Sequence, residues 1–423
     1  MKPFSSLEDW LKWQESLHHL YIDLGLERAA QVFKVLAPDY IKPPTITIAG
    51  TNGKGSTVAY LEAIYTAEGY RVGSYSSPHI LKYNERIKID GVPVSDEQIC
   101  EAFARIDEAR GDTTLSYFEF GTLAALDIFR RAQVDIQLLE VGLGGRLDAV
   151  NIIDPDLAIV TSISIDHSDW LGHTREAIGL EKAGIFRAGI PAITGDLEPP
   201  ESLINWALEQ CTVLCCIGKD FSYKKQAAGW DWFSGDLQML QLPEPALKGE
   251  HQYRNASAVL LAVTKMADIL PVSEAAIKQG LANVHLAGRF QLIESEIPVL
   301  LDVGHNPEAV KTLADYLQAV YPDTRIHAVF SMMKDKDIAG VLDIMNPVVH
   351  DWFFAPLTNP RAATESVMRG IFSQSDISKV AFGYAGFSEA FSAAKSQANV
   401  GDLLLVFGSF FLVSECLVEF DNK

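Results

Sequence analysis

An α/β protein of two domains is what this sequence predicts, on three observations. Short apolar runs alternate with helical ones from Thr45 onward, the rhythm of parallel sheets with crossover helices. One strand-like run, Thr45–Ala49, breaks into Gly50-Thr51-Asn52-Gly53-Lys54-Gly55-Ser56-Thr57 and then into helical sequence. The rhythm restarts near Gln291, so the boundary is placed at His285, giving domains of residues 1–285 and 286–423. A chain of 423 residues is long for one core, since about 100 to 200 residues per domain are usual.

The elements follow in order. A helix is expected over Leu7–Leu17, where Trp10 and Trp13 are among the apolar positions. Strands are expected at Thr45–Ala49, Arg71–Tyr75, Ile136–Val141, Leu157–Ser162 and Ala192–Thr194. Between them, Val58–Glu68, Ser95–Ala109, Tyr117–Ala132 and Thr174–Gly184 read as helices. From Thr212 to Leu247 short segments broken by Gly and Pro suggest hairpins appended to the first domain, and helices return at Tyr253–Leu270 and Ser273–Ala282. In the second domain, strands are expected at Val299–Val303, His327–Phe330, Asp351–Phe354 and Leu403–Phe407.

Composition narrows the function classes. The formal charge of −20 argues against nucleic acid and anionic membrane as partners, because these need clustered cations. The longest apolar stretch, Leu403 to Val413, is too short to span a bilayer. Glu8 and Asp9 stand where a secretory signal needs a positive flank. Five cysteines, with Cys211, Cys215 and Cys216 lacking paired spacing, read as reduced, buried thiols. A cytoplasmic enzyme or nucleotide-binding protein is expected.

The glycine cluster carries the chemistry. A glycine-rich bend between strand and helix aims backbone N–H groups and the positive helix end at phosphate oxygens, with Lys54 as a point charge. Ser56 and Thr57 offer hydroxyls to Mg²⁺. The usual phosphate loop has glycine where Ile48 stands and Ser or Thr where Gly55 stands, so the match is partial. In parallel sheets ligands sit at the carboxyl ends of strands, so Glu140, which precedes Gly142, Gly144 and Gly145, could share a crevice with Lys54. A solvated strand-end acid is the plainer reading of Glu140. His167, or failing that His173, could ligate a metal, although loop histidines are commonly surface polar groups. Lys182, near a helix end, reads by itself as a surface lysine. Asp302 could hold a ribose or an amine, Arg289 a phosphate, and Pro307 suits a first helical turn.

Taken in order, Gly50–Ser56, Ser76-Ser77-Pro78-His79, Leu139–Asp148, Asp166-His167, Glu181–Arg187, His251–Asn255, Gly288-Arg289-Phe290 and Asp302–Pro307 resemble the Mur ligase superfamily and, within it, the folylpolyglutamate and dihydrofolate synthases. The resemblance covers essentially the whole chain. It implies an N-terminal P-loop-type ATPase domain, a C-terminal Rossmann-like glutamate ligase domain and an active-site cleft between them. It implies that Gly53, Lys54, Gly55 and Ser56 bind ATP phosphates, that Ser77, Glu140 and His167 ligate Mg²⁺, and that Asn255, Arg289 and Asp302 bind the nucleotide from the other side. Lys182 matches a lysine carried as a carbamate in many members. Ile22, Asp23, Leu24 and Gly25, with Ser116, Tyr117, Phe118 and Glu119 and with Leu147, Asp148 and Ala149, fall where the pterin substrate binds. His305 and Ser409 fall where glutamate is held, and Lys54, Lys182 and His305 take the catalytic roles.

The activity so implied is ATP-dependent joining of L-glutamate to dihydropteroate and to reduced folates through an acyl phosphate. A monomer is expected. Two alternatives stay open: a cell-wall Mur-type amino acid ligase, which usually carries a further N-terminal domain, and a non-catalytic nucleotide-gated binding protein, which would need no second set of metal-binding residues.

Overall fold

The computed structural model describes Phe4, residues 6–20 and residues 22–421. The chain divides into two compact units, one of residues 1–246 with 252–284, the other of 247–251 with 285–423. The short stretch 247–251 thus groups with the later unit although it lies ahead of His285 in sequence.

In the first unit an eight-stranded sheet runs in the order β4-β3-β2-β5-β1-β6-β7-β8. Its strands are β1 (Thr45–Ala49), β2 (Val72–Tyr75), β3 (Ile87–Ile89), β4 (Val92–Pro93), β5 (Ile136–Glu140), β6 (Leu157–Val160), β7 (Pro191–Thr194) and β8 (Val213–Cys216). All neighbours from β2 to β8 pair in parallel, while β3 and β4 form an antiparallel hairpin at one edge. The central strands β1 and β5 are buried at every position, which suits apolar runs covered on both faces. Helices α1 (Leu7–Leu17), α2 (Glu27–Leu36), α3 (Lys54–Glu68), α4 (Asp96–Arg110), α5 (Tyr117–Ala132), α6 (Ser168–Leu171), α7 (Arg175–Ala183) and α8 (Glu201–Glu209) intervene. α9 (Glu250–Lys265) and α10 (Glu274–Asn283) follow a small antiparallel sheet of β9 (Ser222–Lys225), β10 (Trp230–Ser234) and β11 (Leu237–Leu242).

Three sequence expectations are corrected. The helix expected from Val58 begins at Lys54, because Gly53 takes a left-handed φ of 90° as its N-cap and the Thr57 N–H already donates to the Gly53 carbonyl. Of the expected hairpin region, Val213–Cys216 instead joins the large sheet as its last strand. The thiols are free but mostly not buried: Cys416 is, Cys211 is exposed, and Cys100, Cys215 and Cys216 are intermediate. Cys215 and Cys216 lie on the edge strand β8, where one side has no covering neighbour.

The second unit holds a six-stranded sheet in the order β12-β13-β17-β14-β15-β16. Its strands are β12 (Gln291–Ile293), β13 (Val299–Asp302), β14 (Ile326–Phe330), β15 (Asp351–Phe354), β16 (Val380–Ala381) and β17 (Leu403–Phe407), parallel except for β12. The associated helices are α11 (Pro307–Val320), α12 (Ile338–Met345), α13 (Glu365–Ser373), α14 (Phe387–Gln397) and α15 (Phe410–Asp421). Pro307 opens α11 with Asn306 as its N-cap, the side chain accepting from the Ala309 N–H.

Candidate functional site

Four adjacent parallel strands of the first unit deliver polar residues to one edge. In spatial order β2 leads to Ser77, β5 ends in Glu140, β1 opens into the glycine cluster, and β6 leads to Asp166 and His167. The register Tyr75↔Leu139 and Ile48↔Glu140 aligns these ends. The carboxyl ends of parallel strands are where such sheets bind ligands.

The loop after β1 is tied to its neighbour. Thr51 N–H donates to the Ser162 carbonyl at 2.7 Å, and the Thr161 hydroxyl donates to the Asn52 carbonyl at 2.7 Å. Gly50, at φ 146°, lies so close to Thr161 that a Cβ would come within 1.8 Å of its hydroxyl. Lys54 Nζ donates back to the carbonyls of Gly50 and Thr51 at 3.0 and 3.1 Å. Lys182 Nζ reaches the Gly50 carbonyl too, at 2.8 Å.

The plain reading of Lys182 as a surface lysine is wrong: it is only 4% exposed. Burial first, then the nearby Lys54 charge, pulls its ammonium down from 10.5 to about 7. Near neutrality an amine so placed is available as a nucleophile toward carbon dioxide, the chemistry a carbamate requires.

Glu140 is 4% exposed, so it is not the solvated strand-end acid of the plainer reading. Its Oε2 accepts the Ser77 N–H at 3.3 Å. A buried carboxylate is a hard oxygen donor, which fits Mg²⁺, and the backbone contact brings Ser77 to its side. His167 is exposed on a turn with φ 52°, its N–H donating to Asp166 Oδ1 at 2.8 Å. His173 is also exposed, two residues past α6.

The three segments expected at the pterin come together. The Gly25 N–H donates to the Leu147 carbonyl at 3.2 Å. Arg28 pairs with Asp23 at 2.6 Å and with Glu119 at 3.1 Å. Ser116 and Glu119 form a capping box at the start of α5, which fixes Tyr117 and Phe118 on its first turn. Asp148 is buried and accepts N–H groups from Gly142, Leu143 and Val150 at 3.0, 2.9 and 3.1 Å, capping the turn that begins at Ala149. Desolvation outweighs those donors and raises its carboxyl from 3.8 to about 7. Of the expected residues, Ile22 and Leu24 are partly exposed between α1 and α2.

Asn255 on α9 lies against the glycine cluster: a Cβ on Gly53 would sit 2.7 Å from its Oδ1. Sequence reasoning missed Gln252, one helical turn earlier. Gln252 is fully buried, its amide donating to the Ser56 hydroxyl at 3.2 Å and accepting from Asn255 at 3.1 Å. The available signal was the i, i+3 spacing of two amides on one helix face. His18 and Arg28 were missed as well, and no motif marks them.

In the second unit β13 and β17 are adjacent and parallel, with Asp302 opposite Phe407. Their ends therefore bring Asp302 and His305 to the same edge as Ser409. Asp302 accepts from Gly304 N–H at 2.8 Å and Phe290 N–H at 3.3 Å, yet burial raises its carboxyl from 3.8 to about 6. His305 Nδ1 lies 2.9 Å from the Val303 carbonyl. A carbonyl only accepts, so Nδ1 carries a proton. Phe410 collects the rest: Arg289 stacks on its ring at 5.1 Å and the His305 ring lies 6.0 Å away. The buried Ser409 hydroxyl accepts the Phe411 N–H at 3.1 Å.

Residues 48–263 match the Mur ligase middle domain, and residues 288–410 match the Mur ligase, glutamate ligase domain. The chain is 43% identical over 420 residues to the dihydrofolate synthase/folylpolyglutamate synthase of Escherichia coli, covering 99% of this chain and 96% of that protein. Escherichia coli FolC in complex with DHPP and ADP superposes with a TM-score of 0.93 at 42% identity, covering 99% of this chain and 98% of that one. A bifunctional folylpolyglutamate synthase/dihydrofolate synthase with Mn, AMPPNP and L-glutamate bound gives 0.91 at 41% identity, with coverage of 99% and 98%. With two family domains matched in order and near-complete coverage by such relatives, the chain belongs to the dihydrofolate synthase/folylpolyglutamate synthase family of Mur ligases.

Proposed function

We propose that the protein joins L-glutamate to dihydropteroate, giving dihydrofolate, and to reduced folates, giving polyglutamates, at the expense of ATP. The observation that carries this reading is the row of ligating groups at one sheet edge, with Lys54 and the buried Lys182 on one carbonyl and Glu140 on the neighbouring strand. A binding protein gated by nucleotide has no need of the second set of groups.

The chemistry follows from the poor reactivity of a carboxylate. An oxygen of the pterin substrate's carboxylate attacks the γ-phosphorus of ATP, the bond to the β-phosphate oxygen breaks, and an acyl phosphate and ADP result. The glutamate amine then attacks the acyl carbon; an amide forms, phosphate leaves and the amine loses its proton. Gly53, Lys54, Gly55 and Ser56 hold the phosphates, Lys54 offsetting charge that builds on the transferring group. Mg²⁺, held by Ser77, Glu140 and His167, would neutralise further charge on the phosphates. Gln252 fixes the Ser56 hydroxyl and the Asn255 amide so that both meet the nucleotide already oriented. Asp302 and Arg289 bind nucleotide, His305 and Ser409 bind glutamate, and Lys182 acts as its carbamate.

The same reading makes the enzyme a cytoplasmic monomer. A formal charge of −20 disfavours anionic membrane and nucleic acid as partners, and among the described residues no helix is long and apolar enough to cross a membrane. The test is direct: incubate the protein with Mg-ATP, L-glutamate and either dihydropteroate or tetrahydrofolate, and measure phosphate release and product mass. Glutamylated product with each acceptor is expected. Turnover with neither would refute the assignment.

A further inference from the structure

Asp23 lies on the irregular segment between α1 and α2, yet its carboxylate is held from both sides. His18, the C-cap of α1, approaches Asp23 Oδ2 through Nε2 at 2.9 Å, and its Nδ1 is fixed at 2.9 Å by the Thr114 hydroxyl. Arg28, in the first turn of α2, reaches the same Oδ2 through Nη1 at 2.6 Å and the Asp23 carbonyl through Nη2 at 2.9 Å. The rest of its fork meets Glu119 Oε1, at 3.2 Å from Nε and 3.1 Å from Nη2. Glu119 is 2% exposed and spends Oε2 on the Ser116 N–H at 2.7 Å. The histidine side chain is 4% exposed, so water cannot replace it.

Two consequences follow. Among the described residues Asp23 Oδ2 accepts from both fixed donors, whereas Oδ1 meets none, so the carboxylate presents one acceptor in a set direction. Asp23 and Glu119 share one arginine and leave a single negative charge, which suits a neutral heterocycle bearing N–H donors. A pterin ring offers a 2-amino group and a ring amide N–H.

Building on the function proposed above, we propose that His18 and Arg28 are positioning residues that fix Asp23 as the acceptor for a ring N–H of the pterin, and so set acceptor-substrate affinity. Neither touches the reacting carboxylate. Each acts through Asp23, and Arg28 also ties the loop to α5. Because an arginine fork makes parallel bonds that a lysine cannot, Arg28→Lys should be only a partial substitute.

The experiment uses the full chain. His18→Leu, His18→Gln, Arg28→Met and Arg28→Lys are compared with wild type for the KM values of dihydropteroate and ATP and for kcat. Dihydropteroate binding in the presence of ADP is followed separately by intrinsic fluorescence. His18→Leu and Arg28→Met are each expected to raise the dihydropteroate KM and Kd about tenfold, the loss of one charge-assisted contact's worth of orientation, while the ATP KM stays within about twofold. His18→Gln, which keeps a side-chain N–H donor, should recover most of the loss, and Arg28→Lys should fall between wild type and Arg28→Met. Unchanged pterin affinity in the folded variants, equal changes in both KM values, or no recovery by His18→Gln would overturn the proposal. If Leu and Met variants fail to fold, the Gln and Lys variants decide it, since their pterin Kd must still exceed that of wild type. Wild-type protein that binds dihydropteroate without turning it over would sink the ligase reading and leave this one standing.

Discussion

Lys54 and Lys182 share one acceptor: each Nζ donates to the carbonyl of Gly50, at 3.0 and 2.8 Å. Burial strips Lys182 of its hydration and the neighbouring Lys54 ammonium adds repulsion, so Lys182 falls to about 7. An unfolded lysine holds its proton to about pH 10.4, so between these values the unfolded chain binds more protons and stability rises with pH. Lys182→Met has no proton to exchange. Relative to wild type it is expected to be most stabilised below pH 7, its advantage shrinking as pH rises above 7. Urea denaturation at about pH 6 and about pH 9 measures this, and an equal difference at both would contradict it. The same variant should lose ligase turnover.

Lys54→Met removes the point charge proposed to face the transferring phosphoryl group. A loss of at least about 100-fold in kcat is expected, comparable to removing one preorganised donor. Phosphate release in the ligase assay reports it, with circular dichroism confirming the fold. Undiminished synthesis would remove Lys54 from the mechanism.

Gly53→Ala meets two obstacles. The backbone there is left-handed, φ 90°, and the new Cβ would lie 2.7 Å from Asn255 Oδ1. A destabilisation of about 1–3 kcal/mol is expected from the strained conformation, together with a raised KM for ATP as Asn255 moves aside. Thermal unfolding and ATP kinetics test both. An unaltered ATP KM would show that Asn255 does not serve the nucleotide.

Asp302 should impose an acid limb. Its carboxyl is raised by burial to about 6, above the ordinary value of 3.8. The folded protein therefore keeps this proton to higher pH than the unfolded chain, and the group's contribution to stability declines as pH rises between those values. As pH falls through about 6 the anion is lost, so the KM for ATP is expected to rise. Asp302→Asn should start from a raised KM and lack that limb. A wild-type ATP KM flat from pH 7 to about pH 5 would refute the role.

Much of this was legible in sequence because strand ends announce themselves. Ile136–Glu140 and Thr45–Ala49 are short apolar runs that stop at a charge or a glycine, and the structure places both as central strands. Lys182 was not legible from its surroundings: position 182 of a helix reads as surface until the fold turns that face onto Gly50. Helix α2 was absent from the sequence reading, and with it Arg28, whose partners lie 5 and 91 residues away. Such contacts depend on tertiary placement that local periodicity does not encode. The N-terminus of α3 was displaced to Val58 because the glycines around Lys54 look like a loop, whereas Gly53 serves as a helix cap.

The strand order β2-β5-β1-β6 also acts as a ruler. Neighbouring strands stand about 4.8 Å apart, so the four strands from β2 to β6 span about 14 Å, a width set by backbone hydrogen bonds. Glu140 is one rung from the lysine loop, and that interval cannot drift without breaking the ladder. Side-chain substitution along this edge can therefore change which ligating groups are offered while the spacing of the strands that carry them stays fixed.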